Sequence, residues 1–130
     1  MDRTDVNPWE WSKAFGFSQA VELRGTDRLL VCSGQTAIGD DGSLPTSKAM
    51  GDQVRIAFQN LNTVLEAAGM SMANVVRINY YTTDADELVG VLGGIASEFF
   101  GQNLPASTLL GVTRLAFPEL KIEIEAVAAS

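Results

Sequence analysis

The chain has 130 residues, of which 46% are apolar and 19% are charged, and its net charge is −7. This length suits one globular domain with a single core, and the composition excludes a disordered chain. The acidic balance argues against a nucleic-acid partner and against an anionic membrane surface, because phosphate contacts require clustered cations.

The absence of histidine narrows the possible chemistry further. It excludes Ser-His-Asp and Cys-His nucleophiles, histidine-ligated metals and histidine proton shuttles. With Cys32 as the single cysteine, the chain has no internal disulfide and no paired-cysteine zinc site, so we expect no metal and no other cofactor. This cysteine usage is compatible with a reducing cytoplasm. The charged N-terminal segment predicts neither a signal peptide nor a membrane span.

Residues 1–13 are predicted to form an irregular N-terminal arm, because Asn7-Pro8 interrupts regular structure. Exposed tryptophan is costly, so we expect Trp9 or Trp11 to pack on the domain or on a neighbouring subunit.

The remainder, residues 14–130, is predicted to form one domain. Residues 17–24 and 28–36 alternate as strands around a turn and predict a hairpin. The later predicted elements are a helix capped by Thr46 or Ser47 and ended by Gly69, a strand over 75–83, a helix to about residue 100, and strands over 107–112 and 121–129. The order β-β-α-β-α-β-β predicts an α+β fold with one mixed sheet and two helices on one face.

Two helices leave the other face of the sheet open. Alternation along the last strand sends Ile122 and Ile124 towards the helices, so Glu123 and Glu125 point away, as does Arg77 on its own strand. This face could be solvated, or it could be buried in an oligomer with Arg77 paired to one of the glutamates. A mean hydropathy of +0.11 is high for a small protein that exposes a whole sheet face, which favours an oligomer.

Six short segments carry a family resemblance by their order and spacing over residues 14–129. They are residues 32–35 (CSGQ), 60–69, 99–100 (FF), 104–108 (LPAST), 114–115 (RL) and 121–126 (KIEIEA). Together they resemble the RidA/YjgF family of reactive-intermediate deaminases, also called the L-PSP endoribonuclease-like family.

The resemblance implies a chorismate-mutase-like fold and a homotrimer whose sheets form a central barrel, with small-molecule clefts between subunits. It also implies the hydrolysis of enamines and imines to ketoacids and ammonia. In such clefts an arginine of a Pro-Ala-Arg-Ser segment holds the substrate carboxylate, and a glutamate of the last strand positions or activates water. The matching glutamate here is Glu123.

Two positions depart from the family pattern. Ser107 occupies the arginine position, and Phe17 occupies the place of a tyrosine near the first strand. A guanidinium clamps a carboxylate through two charge-assisted hydrogen bonds, whereas a serine offers one neutral bond. The loss should weaken binding of an amino-acid-like ligand by about 2–3 kcal/mol. We therefore expect a substrate other than a small 2-amino acid, one that is neutral or aromatic.

Glu123 is accordingly the candidate catalytic residue, and the alternative is a structural ion pair with Arg77 or Lys121. The candidate ligand-binding residues are Ser107, Ser33, Gly34, Phe17 and Arg114. Gly34 could instead serve a bulge or close strand packing, and Arg114, a possible substitute cation, could serve packing. The candidate functions are an imine or enamine deaminase, a non-catalytic small-molecule-binding trimer and, least favoured by the charge, an endoribonuclease.

Overall fold

Eight regular elements and two 3₁₀ turns make up the fold, in a computed structural model that describes all residues from 1 to 130. They are β1 (Asp2–Val6), a turn (Trp11–Phe15), β2 (Ala20–Arg24), β3 (Leu29–Val31), α1 (Met50–Ala67), a turn (Met72–Asn74), β4 (Val75–Thr82), α2 (Ala85–Phe100), β5 (Ala106–Gly111) and β6 (Ile122–Ala129). The predicted α+β class, with two helices on one face of a mixed sheet, is confirmed. No helix has both the length and the apolar character needed to cross a membrane.

The main sheet has the strand order β3-β6-β4-β5. The β4–β5 pair is parallel, and α2 supplies the crossover between its strands; the other two pairs are antiparallel. The predicted alternation along β6 is confirmed: Ile122, Ile124, Ala126 and Ala128 are each at most 3% exposed beneath the helices. The intervening side chains therefore lie on the open face of the sheet.

The predicted hairpin between residues 17–24 and 28–36 is wrong. β2 pairs antiparallel with β1, with Asp2 opposite Arg24, and β3 pairs with β6. Alternation determines which residues share a face of a strand but does not identify the neighbouring strand. The strands therefore form a two-stranded ribbon beside a four-stranded sheet rather than one continuous sheet.

The N-terminal arm is more regular than predicted, because it begins with β1. The Arg3 guanidinium holds this strand in place by donating to the carbonyl oxygens of Ala73, Val75 and Leu104 at 3.0–3.1 Å. It also pairs with the Asp5 carboxylate at 2.9 Å. One arginine thus ties the start of the chain to two distant segments.

The start of α1 also differs from the prediction. The helix begins at Met50, and neither Thr46 nor Ser47 is its N-cap. The Ser47 hydroxyl instead donates to Asp52 at 2.7 Å, and Glu87 of α2 accepts a hydrogen bond from the Met50 backbone N–H at 3.2 Å. A side chain from the other helix therefore supplies part of the cap.

The 3₁₀ turn Trp11–Phe15 packs directly on α2. Trp11 also lies edge-on to Phe17, with ring centroids 5.7 Å apart, but it remains 55% exposed, so it contacts the domain without being buried there. The close approach depends on Gly93, where a Cβ atom would collide with the carbonyl oxygen of Ala14. Gly90, one turn earlier on α2, faces open space.

This difference predicts opposite effects of two alanine substitutions on the same helix. Gly93→Ala should lower the free energy of unfolding by about 1–3 kcal/mol, because backbone atoms of the arm must move. Gly90→Ala should raise it by about 0.5–1 kcal/mol through helix propensity. Denaturant unfolding of both variants checks this, and equal effects would contradict the packing role of Gly93.

Candidate functional site

The candidate residues fall into two groups on opposite faces of the main sheet. Ser107 of β5 lies opposite Ile78 of β4, which faces the helices. Glu123 of β6 lies opposite Tyr81, which faces the open side. Because paired residues of neighbouring strands share a face, the sheet separates Ser107 from Glu123 within one chain.

The first group lines an apolar pocket on the helix side. Its volume is about 300 Å³, and it lies between the 3₁₀ turn Trp11–Phe15, α2 and the β4–β5 edge. Phe17 and Ser107, two of the predicted ligand-binding residues, both line this pocket, together with Trp11, Tyr80 and Val89. No charged side chain lines this pocket. Nothing among the lining residues could therefore form an ion pair with a ligand carboxylate.

Tyr80 is the residue of this pocket that sequence reasoning missed. Its side chain is 1% exposed, and its hydroxyl has no hydrogen-bond partner. Burial raises the pKa of this phenol well above its usual range, so it is neutral. The ring packs edge-on against Phe58 at 6.2 Å. The sequence feature that could have identified Tyr80 is a tyrosine at an inward position of a strand, because a buried hydroxyl usually needs a hydrogen-bond partner.

The second group centres on Glu123 and Gly34. The backbone N–H groups of Cys32 and Gln35 donate hydrogen bonds to the carbonyl oxygens of Ala126 and Ile124 on β6. Two residues, 33 and 34, therefore lie opposite the single residue Glu125 and form a bulge. The Glu123 carboxylate rests against Gly34, where any Cβ atom would overlap its Oε1. Gly34 thus lies in a bulge and also leaves the space that the carboxylate occupies.

Other groups around Glu123 leave its carboxylate free. Arg77 donates to the Thr108 hydroxyl at 2.6 Å, and Lys121 pairs with Glu87 at 3.2 Å. Glu123 forms no ion pair within the chain. The backbone N–H groups of Ser33 and Gly34, both exposed, also donate no hydrogen bond within the chain. The Glu123 carboxylate, which rests against Gly34, and the N–H groups of residues 33 and 34 can therefore bind a ligand or a neighbouring chain.

Glu125 differs from Glu123, although both lie on the open face. It accepts hydrogen bonds from the Tyr81 hydroxyl and from the Asn79 amide, the latter at 3.2 Å. These bonds, that from Tyr81 above all, lower the pKa of Glu125. The same bond raises the pKa of Tyr81. Glu125 is therefore bound within its own chain and joins neither group.

Arg114 also belongs to neither group. It lies in an exposed loop, and its guanidinium donates to the carbonyl oxygens of Leu115 and Ala116 at 3.2 and 3.3 Å. Cys32 is a buried free thiol whose pKa is raised by burial. No cluster of three or more potential ligand side chains is arranged to hold a metal ion.

Comparison with known proteins gives a consistent set of relatives. Residues 10–130 match the family described as Endoribonuclease L-PSP. The mitochondrial protein mmf2 of Schizosaccharomyces pombe is 30% identical over 131 residues, which cover 99% of each chain. The 2-iminobutanoate/2-iminopropanoate deaminase of Rattus norvegicus is 31% identical over 112 residues, covering 86% of this chain and 78% of that protein. The crystal structure of YyfB from Yersinia pestis, a protein of unknown function of the conserved Rid protein family, superposes over the full length of both chains with a TM-score of 0.89 and 36% identity.

The Tyr81–Glu125 bond predicts a specific titration behaviour. Tyr81→Phe should raise the pKa of Glu125 towards its ordinary value, because the principal stabilising bond to the carboxylate is lost. Since the folded-state pKa is depressed, the contribution of this bond to stability is present above the unfolded-state pKa and is lost as pH falls through the folded one. Carboxyl-detected NMR titration measures the shift, with Tyr80→Phe as the control. An unchanged Glu125 pKa in Tyr81→Phe would contradict the assignment.

Proposed function

The chain belongs to the endoribonuclease L-PSP family, also called the RidA/YjgF family, and we propose that it hydrolyses an imine or enamine in a cleft between two subunits. The observation that carries this proposal is the placement of Ser107 and Glu123 on opposite faces of one sheet. A ligand that contacts both residues must take them from two copies of the chain. The reaction class is supported by the rat relative, which is by name an iminobutanoate/iminopropanoate deaminase.

The assembly that we propose is a homotrimer with its open sheet faces turned inward. Support comes from the exposed apolar side chains on those faces: Val31 is 78% exposed and Leu110 is 52% exposed. Large apolar groups on a sheet face are typical of a protein interface. Turning these faces inward would bury them and would bring the Glu123 group of one subunit towards a neighbouring subunit.

Glu123 is the proposed catalytic base. Its free carboxylate would accept a proton from water as the water oxygen bonds to the carbon of the C=N group. The electron pair of that double bond moves to nitrogen, which takes up the proton held by Glu123 and gives a carbinolamine. Glu123 would then accept the proton of the carbinolamine hydroxyl and return it to nitrogen, so that the C–N bond breaks, ammonia leaves and a carbonyl compound remains. The free N–H groups of Ser33 and Gly34 would hydrogen-bond to the ligand beside this carboxylate.

The substrate that we propose is not a small 2-amino acid derivative. Ser107 provides one neutral hydroxyl where a guanidinium would provide a clamp, and the pocket around it has no charged side chain. The same two observations favour the alternative function, a trimer that binds a small molecule without transforming it. A ribonuclease activity has no such support, because the chain has no histidine and a net charge of −7.

We also propose a cytoplasmic location and no bound cofactor. The buried free thiol of Cys32 is consistent with a reducing compartment. The relative from Schizosaccharomyces pombe is by name a mitochondrial protein, so cell fractionation should compare these two compartments.

An assay with imines generated in situ tests the reaction. We expect wild type to hydrolyse a neutral aryl imine and to release little ketoacid from 2-iminopropionate, whereas Ser107→Arg should raise the ketoacid rate by roughly 30- to 150-fold. Glu123→Gln should abolish both activities while light scattering still shows the trimer. Gly34→Ala should also lose activity, because its methyl group displaces the Glu123 carboxylate.

Gly90→Ala is the matched control, since its methyl group enters open space and should leave the rates unchanged. Imine hydrolysis that survives Glu123→Gln would contradict the role of this glutamate. Silence of all variants on every imine, with the trimer intact, would favour the non-catalytic binding function instead.

A further inference from the structure

We propose that the shared cleft binds a positively charged nitrogen that is attached to an apolar ring. Glu123 of one subunit holds the nitrogen, and the pocket beside Ser107 of the next subunit holds the ring. The inference rests on the proposed function in taking these two groups as halves of one cleft. It adds the charge of the ligand, so the expected class is that of arylalkylammonium compounds and the protonated imines related to them.

The pocket beside Ser107 favours an apolar ring. Its other lining residues are all aliphatic or aromatic, and Trp11 lies edge-on to both Phe15 and Phe17. Aromatic rings prefer such edge contacts, so a further ring fits among them. Trp11, Phe15 and Val89 are each about half exposed, so a ligand can reach this wall from solvent. The volume of about 300 Å³ suits one ring with a short chain.

The Glu123 carboxylate supplies the charge that the pocket lacks. It is half-buried against Gly34 and forms no ion pair within the chain. A carboxylate in this position favours a ligand that brings the missing cation, because charge-assisted hydrogen bonds are the strong ones. The proposed reaction forms such a cation, since nitrogen is positively charged when it takes up its last proton before the C–N bond breaks. An alkylammonium group carries the same charge and cannot react.

The nearby cations of the chain are engaged elsewhere. Arg77 lies on the same open face, but the β4 residue opposite Glu123 is Tyr81, which is four residues, or about 13 Å, further along the strand. The Arg77 guanidinium donates to a threonine hydroxyl on β5. Lys121 pairs with Glu87 of α2. The charge of Glu123 is therefore left for a ligand.

The free N–H groups of Ser33 and Gly34 do not turn this half of the cleft into a carboxylate site. The Glu123 carboxylate rests against Gly34, and Glu125 follows two residues, or about 7 Å, along the same strand. A ligand carboxylate at these N–H groups would face both anions and be repelled by them. A neutral oxygen, such as that of the attacking water, can accept from the N–H groups without this repulsion.

Trp11 provides an optical readout, because it lines the pocket. Trp9→Phe removes the other tryptophan, which lies outside the pocket. In this background we would titrate the intact trimer at neutral pH with 2-phenylethylamine, 2-phenylethanol and 3-phenylpropanoate, which share a ring and a two-carbon chain but differ in charge. We expect the ammonium compound to bind roughly 10- to 100-fold more tightly than the alcohol, as one charge-assisted hydrogen bond implies. Phenylpropanoate should bind most weakly.

Three substitutions separate the two halves of the cleft. Glu123→Gln should lower the affinity for phenylethylamine to that for the alcohol, because the amide keeps the shape of the carboxylate but not its charge. Glu125→Gln is the matched control, since it makes the same change on the same face at a carboxylate already bonded to Tyr81 and Asn79, and it should preserve the preference. Ser107→Arg should reverse the order of phenylethylamine and phenylpropanoate, because a guanidinium pairs with carboxylate.

Several results would overturn the proposal: equal affinity for the amine and the alcohol, no fluorescence response to any of the three compounds, or tighter binding of phenylpropanoate by the wild-type cleft. A preference that survives Glu123→Gln, or that Glu125→Gln removes equally, would also contradict it. The titration requires no turnover. An ammonium preference that depends on Glu123 without imine hydrolysis would therefore overturn the proposed enzyme alone, and hydrolysis without the preference would overturn this inference alone.

Discussion

The two faces of β6 determine where the candidate chemistry lies. Ile122 and Ile124 are fully buried beneath the helices, so the side chain between them must point to the open face. That side chain is Glu123. The register of the sheet places Ser107 on the other side, opposite Ile78. The burial of alternate apolar residues thus separates the carboxylate from the pocket, so the proposed cleft can contain both groups only if two copies of the chain share it.

The N-terminal arm and the residues that follow it supply the aromatic wall of the pocket beside Ser107. Arg3 anchors its first strand, and Gly93 allows its 3₁₀ turn to approach α2 closely. The aromatic side of the pocket therefore depends on Gly93 of α2, although α2 itself lines only the aliphatic side. Glu123 depends on a glycine in a different way, because Gly34 leaves room for its carboxylate. Each half of the proposed cleft thus requires a glycine, because a Cβ atom at Gly93 or at Gly34 would collide with a neighbouring group.

Much of the fold follows from local patterns. Helical spacing and Gly69 predicted where α1 ends to within two residues, and alternation predicted which face of β6 is buried. The partner of β2 was not predictable, because many strands offer a suitable face. Tyr80 lies on the buried face of β4, but only the packed chain shows that its hydroxyl lacks a partner. The pocket itself depends on a contact between Ala14 and Gly93, which no local pattern encodes.

Thiol cross-linking tests the shared site most directly. The double variant Ser107→Cys with Glu123→Cys can be treated with a short bismaleimide at low protein concentration, where Cys32 is buried and its raised pKa keeps it unreactive. A denaturing gel should show covalent dimers and trimers for the double variant, while each single variant stays monomeric. Cross-links confined to one chain, or none at all in an intact trimer, would contradict a cleft formed by Ser107 of one subunit and Glu123 of the next.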